Sequence, residues 1–124
     1  MKTKYYNKKT CIDGIEFDSL KEARRYQELK LMERAGMIKD LDMQVRFELV
    51  PAQYEEVEMF DKNGQKLKPK RRIIEYPIVY IADFTYTDEN GDYVCEDTKG
   101  FKTKDYILKR KLMLWVHGIR VREV

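Results

Sequence analysis

Residues 80–99, YIADFTYTDENGDYVCEDTK, constrain the fold of this chain more than any other stretch. Two runs rich in β-branched and aromatic residues flank Asp88-Glu89-Asn90-Gly91, a composition suited to tight reversal, so the stretch reads as a β-hairpin. Asp83 interrupts the apolar run of the first arm, and Asp97 and Lys99 close the second. A strand that only fills a core favours β-branched and aromatic side chains. An ionised group withdrawn from water is costly unless it is paired or ligates a cation. The charges in this hairpin therefore need either a solvated position or a chemical task.

Loop length decides between these. With a three-residue loop, Glu89-Asn90-Gly91, and Gly91 left-handed, the numbers of facing residues add to a constant that sets Asp83 opposite Asp97, their Cβ atoms about 5 Å apart. A two-residue Asn-Gly turn would send the two carboxylates to opposite faces. The odd-length loop, or a compensating bulge, is the expectation. Alternation then puts Lys99 on the face of Asp97, about 6.6 Å along the strand, and Glu96 on the other face. Two facing carboxylates repel each other, and a divalent cation reconciles them most simply at neutral pH; oxygen ligands suit Mg²⁺ or Mn²⁺. A lysine alongside, able to position or deprotonate water and to stabilise transition-state charge, completes what phosphodiester hydrolysis requires. Taken alone, Asp-x-Lys on a strand is more often a solvated surface pattern.

The 124 residues suffice for one domain with one core. TCIDGIEF, residues 10–17, alternates around Asp13-Gly14 and forms an opening hairpin. A helix follows over 18–36, with Ser19 as N-cap, Glu22 as the far member of a capping box and Gly36 as the stop. Glu22 shares a face with Tyr26 and Leu29, so besides capping it is placed to reach the sheet as a further metal ligand or water-orienting group. Residues 44–50 alternate as a half-buried strand. Residues 51–72 form a basic arm or hairpin, protruding or mobile, in which Asn63-Gly64 could close the turn. The hairpin over 73–99 leads to a helix over 103–117, capped by Thr103 and ended by Gly118, with Ile107, Leu108, Leu112 and Trp115 expected in the core. A strand over 119–124 ends the chain. A helix between the last two strands makes them parallel, and the sheet mixed. The fold class is a single α/β domain.

Composition narrows the chemistry. The chain is 43% hydrophobic and 38% charged, with net charge +3 and pI near 8.7, a mild basic bias that permits nucleic-acid binding. No apolar run approaches the ~18 residues of a membrane span, and MKTKYYNKKT has no apolar signal region, so a cytoplasmic protein is expected. Two cysteines, Cys11 and Cys95, and one histidine, His117, are too few for a zinc centre and argue against Cys-His or Ser-His catalysis. Catalysis, if present, falls to carboxylates and lysines.

Glu22 on a helix, Asp83 on a strand, Asp97-Thr98-Lys99 on the next strand, then helix and strand, together resemble the PD-(D/E)XK nuclease superfamily. More narrowly, FDSLKEARRYQELK, DMQVRFEL, YIADFTY, EDTKG and GIRVREV are similar to a small phage-encoded family of unknown function grouped with these nucleases and with Holliday-junction resolvase-like enzymes. The resemblance implies a restriction-endonuclease-like αβββαβ core over nearly the whole chain and Mg²⁺- or Mn²⁺-dependent cleavage of DNA. It implies Asp83, Asp97 and Glu22 as metal ligands and Lys99 as the residue assisting the nucleophilic water. Ala82 stands where the motif's name has proline. Gln44 enters only through the resemblance, since related nucleases often carry glutamine on the strand after the first helix. Alternation by itself makes it a polar residue on an exposed strand face.

Lys102, Thr103, Lys104 and Lys109 at the start of the second helix, and Lys68, Lys70, Arg71 and Arg72 on the arm, are the expected nucleic-acid contacts. The same residues also fit an ordinary solvated surface. Symmetrical cutting of two strands needs two sites, which makes a homodimer one alternative. Two other readings share the features: a nucleic-acid-binding or regulatory protein on a nuclease-like core without catalysis, and an RNA-directed nuclease.

Overall fold

The computed structural model describes residues 9–124, so the basic stretch over 1–8 lies outside the described residues. The order is β1 (Thr10–Ile12), β2 (Ile15–Phe17), α1 (Leu20–Arg34), β3 (Lys39–Val50), β4 (Gln53–Phe60), β5 (Lys66–Glu75), β6 (Ile78–Thr87), β7 (Tyr93–Asp97), α2 (Lys104–His117) and β8 (Arg122–Glu123). Strands β3, β6, β7 and β8 form one mixed sheet in that order, antiparallel except for the parallel β7–β8 pair. The expected mixed α/β arrangement with two helices is present. No helix among the described residues is long and apolar enough to cross a membrane.

Several boundaries differ from expectation. Strand β3 starts at Lys39 rather than 44, because Asp40 takes a left-handed φ of 57° at a register shift and the chain pairs on either side of it. Strand β7 ends at Asp97, leaving Lys99 in the loop beyond, and β8 pairs only over Arg122–Glu123 rather than 119–124. Residues 51–72 take the hairpin form of the two expected, β4–β5, largely exposed along both strands; β5 runs on to Glu75, so the following hairpin starts at Ile78 rather than 73.

The β4–β5 and β6–β7 hairpins close with the same device. Asp61 and Asp88 each accept hydrogen bonds through Oδ1 from the amides two and four residues on, at 2.8–3.0 Å, while Gly64 and Gly91 take left-handed φ of 78° and 83°. The Asp88 amide donates to the Asp92 carbonyl, so the loop is Glu89-Asn90-Gly91, the odd-length form. Pairs Phe84↔Glu96, Thr85↔Cys95 and Tyr86↔Val94 follow, each adding to the constant expected for Asp83 and Asp97.

Two buried clusters flank the sheet. Phe17, Ala23, Tyr26, Leu29, Phe84, Tyr86 and Val94 pack with α1. Leu49, Tyr80, Ala82, Cys95, Tyr106 and Met113 pack with α2. Val94 and Cys95 are consecutive on one strand, so the clusters occupy opposite faces. On β6, however, Tyr80 and Ala82 face α2 while Phe84 and Tyr86 face α1, although an uninterrupted strand would put all four together. On β3, Phe47 and Leu49 lie with α2, Leu41 and Met43 with α1. Both strands exchange faces at one point, between the pairs Met43↔Phe84 and Val45↔Ala82, where Gln44 lies across from Asp83. Gln44 has a left-handed φ of 51°, a conformation that costs an L-residue about 1–2 kcal/mol.

Helix α2 departs from expectation on one side. Its buried stripe is Tyr106 and Met113, flanked by partly buried Ile107 and Leu112. At about 100° per residue, Leu108 and Trp115 fall near the far side of that stripe. They are 55% and 86% exposed rather than core.

Candidate active site

Glu22 opens α1. Its amide donates to the Ser19 side chain at 3.1 Å, so half of the capping box forms. Its carboxylate turns instead to the sheet and accepts a hydrogen bond from Gln44 Nε2 at 2.9 Å. Gln44 is exposed on its strand, as alternation predicts, and from there its amide reaches the Glu22 carboxylate on the helix. Burial raises the Glu22 pKa from 4.5 to about 7, with repulsion from Asp83, Asp18 and Asp97 adding to it and Lys99 opposing it. Glu22, Asp83, Asp97 and Lys99 thus act on one another electrostatically.

Asp97 is the most enclosed member, 1% exposed. Tyr80 donates to its Oδ2 at 2.6 Å, while Oδ1 is buried without a hydrogen-bond partner and lies 3.9 Å from Lys99 Nζ. Burial and the Asp83 carboxylate raise the Asp97 pKa; the Tyr80 hydrogen bond and Lys99 pull the other way. Burial, with Asp97 next, drives the Tyr80 phenol far above its ordinary value, which keeps it a donor. Asp83 is half-buried, and the Thr98 amide and hydroxyl both donate to its Oδ2 at 2.8 Å. The two aspartates meet on one side of the sheet, as the three-residue loop requires. Lys99 is exposed, yet its ammonium lies 5.2 Å above the Tyr106 ring, close enough for a cation–π contact that restrains it.

Glu96 occupies the other face, as alternation predicts. It is fully buried, held by Arg25 through two hydrogen bonds of 2.7 Å and by the Tyr86 hydroxyl. This pair ties β7 to α1 one residue from Asp97 and one turn from Glu22. Sequence reasoning passed over Tyr80, Thr98 and Tyr106. Thr98 sits inside the Asp-x-Lys triplet, where a hydroxyl between two charged groups is a usable signal. Tyr80 reaches Asp97 only because β6 exchanges faces, which alternation does not reveal.

Among the described residues, no three His, Cys, Asp or Glu side chains converge into a ready metal centre. The donor chemistry is nonetheless that of a hard cation: two adjacent carboxylates, one with a buried oxygen lacking a partner, and Glu22 at their edge. His117 takes no part; its Nε2 lies 2.7 Å from the Glu48 carbonyl.

The expected phosphate contacts divide by their partners. Lys102 pairs with Glu123 at 3.3 Å, Lys109 with Asp105 at 3.4 Å and Arg72 with Glu55, while Thr103 caps α2 by accepting from the Tyr106 amide. Arg71 stacks on the Tyr54 ring at 3.7 Å. Lys104, Lys68 and Lys70 are exposed, and among the described residues none is paired with a carboxylate.

No curated protein and no solved structure matches this chain. One family model does, over residues 2–120, nearly the whole sequence. The chain belongs to the family described as "Protein of unknown function (DUF1064)".

Proposed function

We propose that this protein is a divalent-metal-dependent endonuclease that hydrolyses phosphodiester bonds in DNA, built on a PD-(D/E)XK-like core. The observation that carries this reading is the buried, partnerless Oδ1 of Asp97 between the Asp83 carboxylate and the Lys99 ammonium. A purely structural aspartate at 1% exposure would have both oxygens satisfied. Asp83 and Asp97 would hold Mg²⁺ or Mn²⁺, with Glu22 as a further ligand or water-orienting group. When bound, the cation would polarise the phosphate and lower the pKa of water.

The chain's own residues have separable tasks in this reading. Tyr80 and Thr98 each hold one carboxylate oxygen, fixing Asp97 and Asp83 before substrate arrives. Glu22, with a pKa near 7, exchanges a proton at working pH and can orient water at the site's edge. Lys99, steadied by Tyr106, offers positive charge where the pentavalent phosphorus gathers negative charge. Lys104 and the arm's Lys68 and Lys70 would meet flanking phosphates without reading bases. Such an enzyme would serve recombination, repair or processing of phage DNA, branched forms included, and symmetric cutting would require two copies.

The test is to incubate the protein with linear, nicked, flap and four-way-junction DNA, and with single-stranded RNA, with Mg²⁺, Mn²⁺ or EDTA. Metal-dependent DNA cleavage that falls at least about 100-fold in Lys99→Ala is expected. No cleavage of any DNA, or undiminished cleavage by Lys99→Ala, would overturn the proposal. Salt-sensitive binding without turnover would favour the binding-only alternative, and preference for RNA an RNA-directed nuclease.

A further inference from the structure

We infer that the cleft beside the carboxylates is a subsite for a second phosphate of the bound strand, held by Lys21 and Arg24; this rests on the nuclease reading above. The cleft, about 310 Å³, runs between the first turns of α1 and the end of β7, with Lys21 and Arg24 on one wall and Thr98 on the other. Its space corresponds to on the order of ten waters, room for a phosphate and its sugar.

The charge balance favours an anion. Three cations, Lys21, Arg24 and Arg25, line the cleft against the single side-chain carboxylate of Glu28; Arg25 is shared between Glu28, at 2.7 Å, and the buried Glu96. Lys21 and Arg24 are exposed, and among the described residues neither has a carboxylate within ion-pair distance. Residues 1–8 contain no Asp or Glu that could supply one. Two cations without an ion-pair partner therefore line one cavity, three residues apart on one side of the helix.

The cleft also adjoins the candidate active site through backbone. Thr98, on its wall, holds Asp83, and Lys21 Nζ donates to the Lys99 carbonyl at 3.5 Å. A strand presenting one phosphate to Asp83 and Asp97 thus brings a neighbouring phosphate toward Lys21 and the guanidinium fork of Arg24, whose geometry suits two phosphate oxygens. Polynucleotide is the occupant this continuity favours over a free anion.

The experiment measures binding of labelled duplex DNA in EDTA, without turnover, as a function of KCl. In an Asp97→Asn background, Lys21→Ala/Arg24→Ala should reduce the slope of log affinity against log salt by about 2, one per lost phosphate contact. Arg34→Ala/Lys39→Ala, which removes two exposed cations at the far end of α1 and the start of β3, should leave it unchanged. An unchanged slope in the first variant, an equal loss in the second, or displacement of DNA by millimolar inorganic phosphate at fixed ionic strength would overturn the subsite. With Asp97 intact, the first variant should raise KM about tenfold or more with kcat within about threefold. Slope loss without cleavage by the wild type would refute catalysis but keep the subsite; cleavage with an unchanged slope would do the reverse.

Discussion

Glu22→Gln should make the metal-free protein more stable at neutral pH, against the usual cost of altering a buried polar side chain. Glu22 is only 8% exposed, and burial first, then the neighbouring carboxylates, raise its pKa from 4.5 to about 7. Between those values the native state binds more protons than the unfolded chain, so unfolding free energy declines as pH rises through that window and stays lower above it. At about 1.4 kcal/mol for each pH unit a pKa moves, the penalty reaches about 3 kcal/mol; solvent screening brings it to about 1–3 kcal/mol. Glutamine removes the charge but keeps a carbonyl oxygen to accept from Gln44 Nε2. Urea unfolding in EDTA from pH 4 to 8 should give coincident stabilities at pH 4 and a variant about 1–3 kcal/mol more stable at pH 8. Saturating Mg²⁺ should narrow the gap by stabilising the wild type. Equal stability at pH 8, or a variant less stable there, would refute the argument that Glu22 is held charged against its surroundings.

Two further outcomes follow from the same geometry. Gln44→Gly and Gln44→Ala both lose the hydrogen bond to Glu22, but only glycine relieves the left-handed φ of 51°. In chemical denaturation glycine should therefore be more stable than alanine by about 1 kcal/mol, the reverse of the order in an ordinary strand. Arg25→Ala strands the fully buried Glu96 carboxylate and should cost about 3–5 kcal/mol. Glu96→Ala leaves Arg25 partly exposed and still paired with Glu28, at about 1–3 kcal/mol, so equal or inverted costs would count against the buried pair as the tie between β7 and α1.

Elements whose signals are local were legible in the sequence. Ser19 and Thr103 cap the two helices, Gly91 closes the loop, and from that loop followed the register that ends at Phe84↔Glu96, one position short of Asp83 and Asp97. Arrangements depending on tertiary packing were not. Leu108 and Trp115 look like core residues because they are apolar, but the helix phase is set by Tyr106 and Met113. The capping motif at Ser19 was visible, but not that the Glu22 carboxylate would leave it for Gln44, since that partner comes from a strand 22 residues away. Lys99 was expected on the strand; β7 stops two residues earlier, and the Tyr106 ring, rather than strand pairing, sets where its ammonium lies.

The exchange of faces at Gln44 and Asp83 explains how carboxylates from two layers come together. Glu22 belongs to the α1 layer, whereas Asp97 points to the α2 layer with Tyr80 and Cys95. Across an uninterrupted sheet such groups would be kept apart, because alternate side chains leave a strand in opposite directions. Here both central strands switch sides at the same pair of residues, and the carboxylates cluster where the switch occurs. Straightening either strand alone would send Leu41 and Met43, or Phe84 and Tyr86, out of the α1 core, exposing several large apolar side chains at about 1.5–3 kcal/mol each. That penalty exceeds the 1–2 kcal/mol strain of a left-handed Gln44, so the packing of the two cores holds the strained residue in place. The position of Asp83 is therefore set by the packing of the two cores on either side of the switch, and the Thr98 amide and hydroxyl then hold its carboxylate.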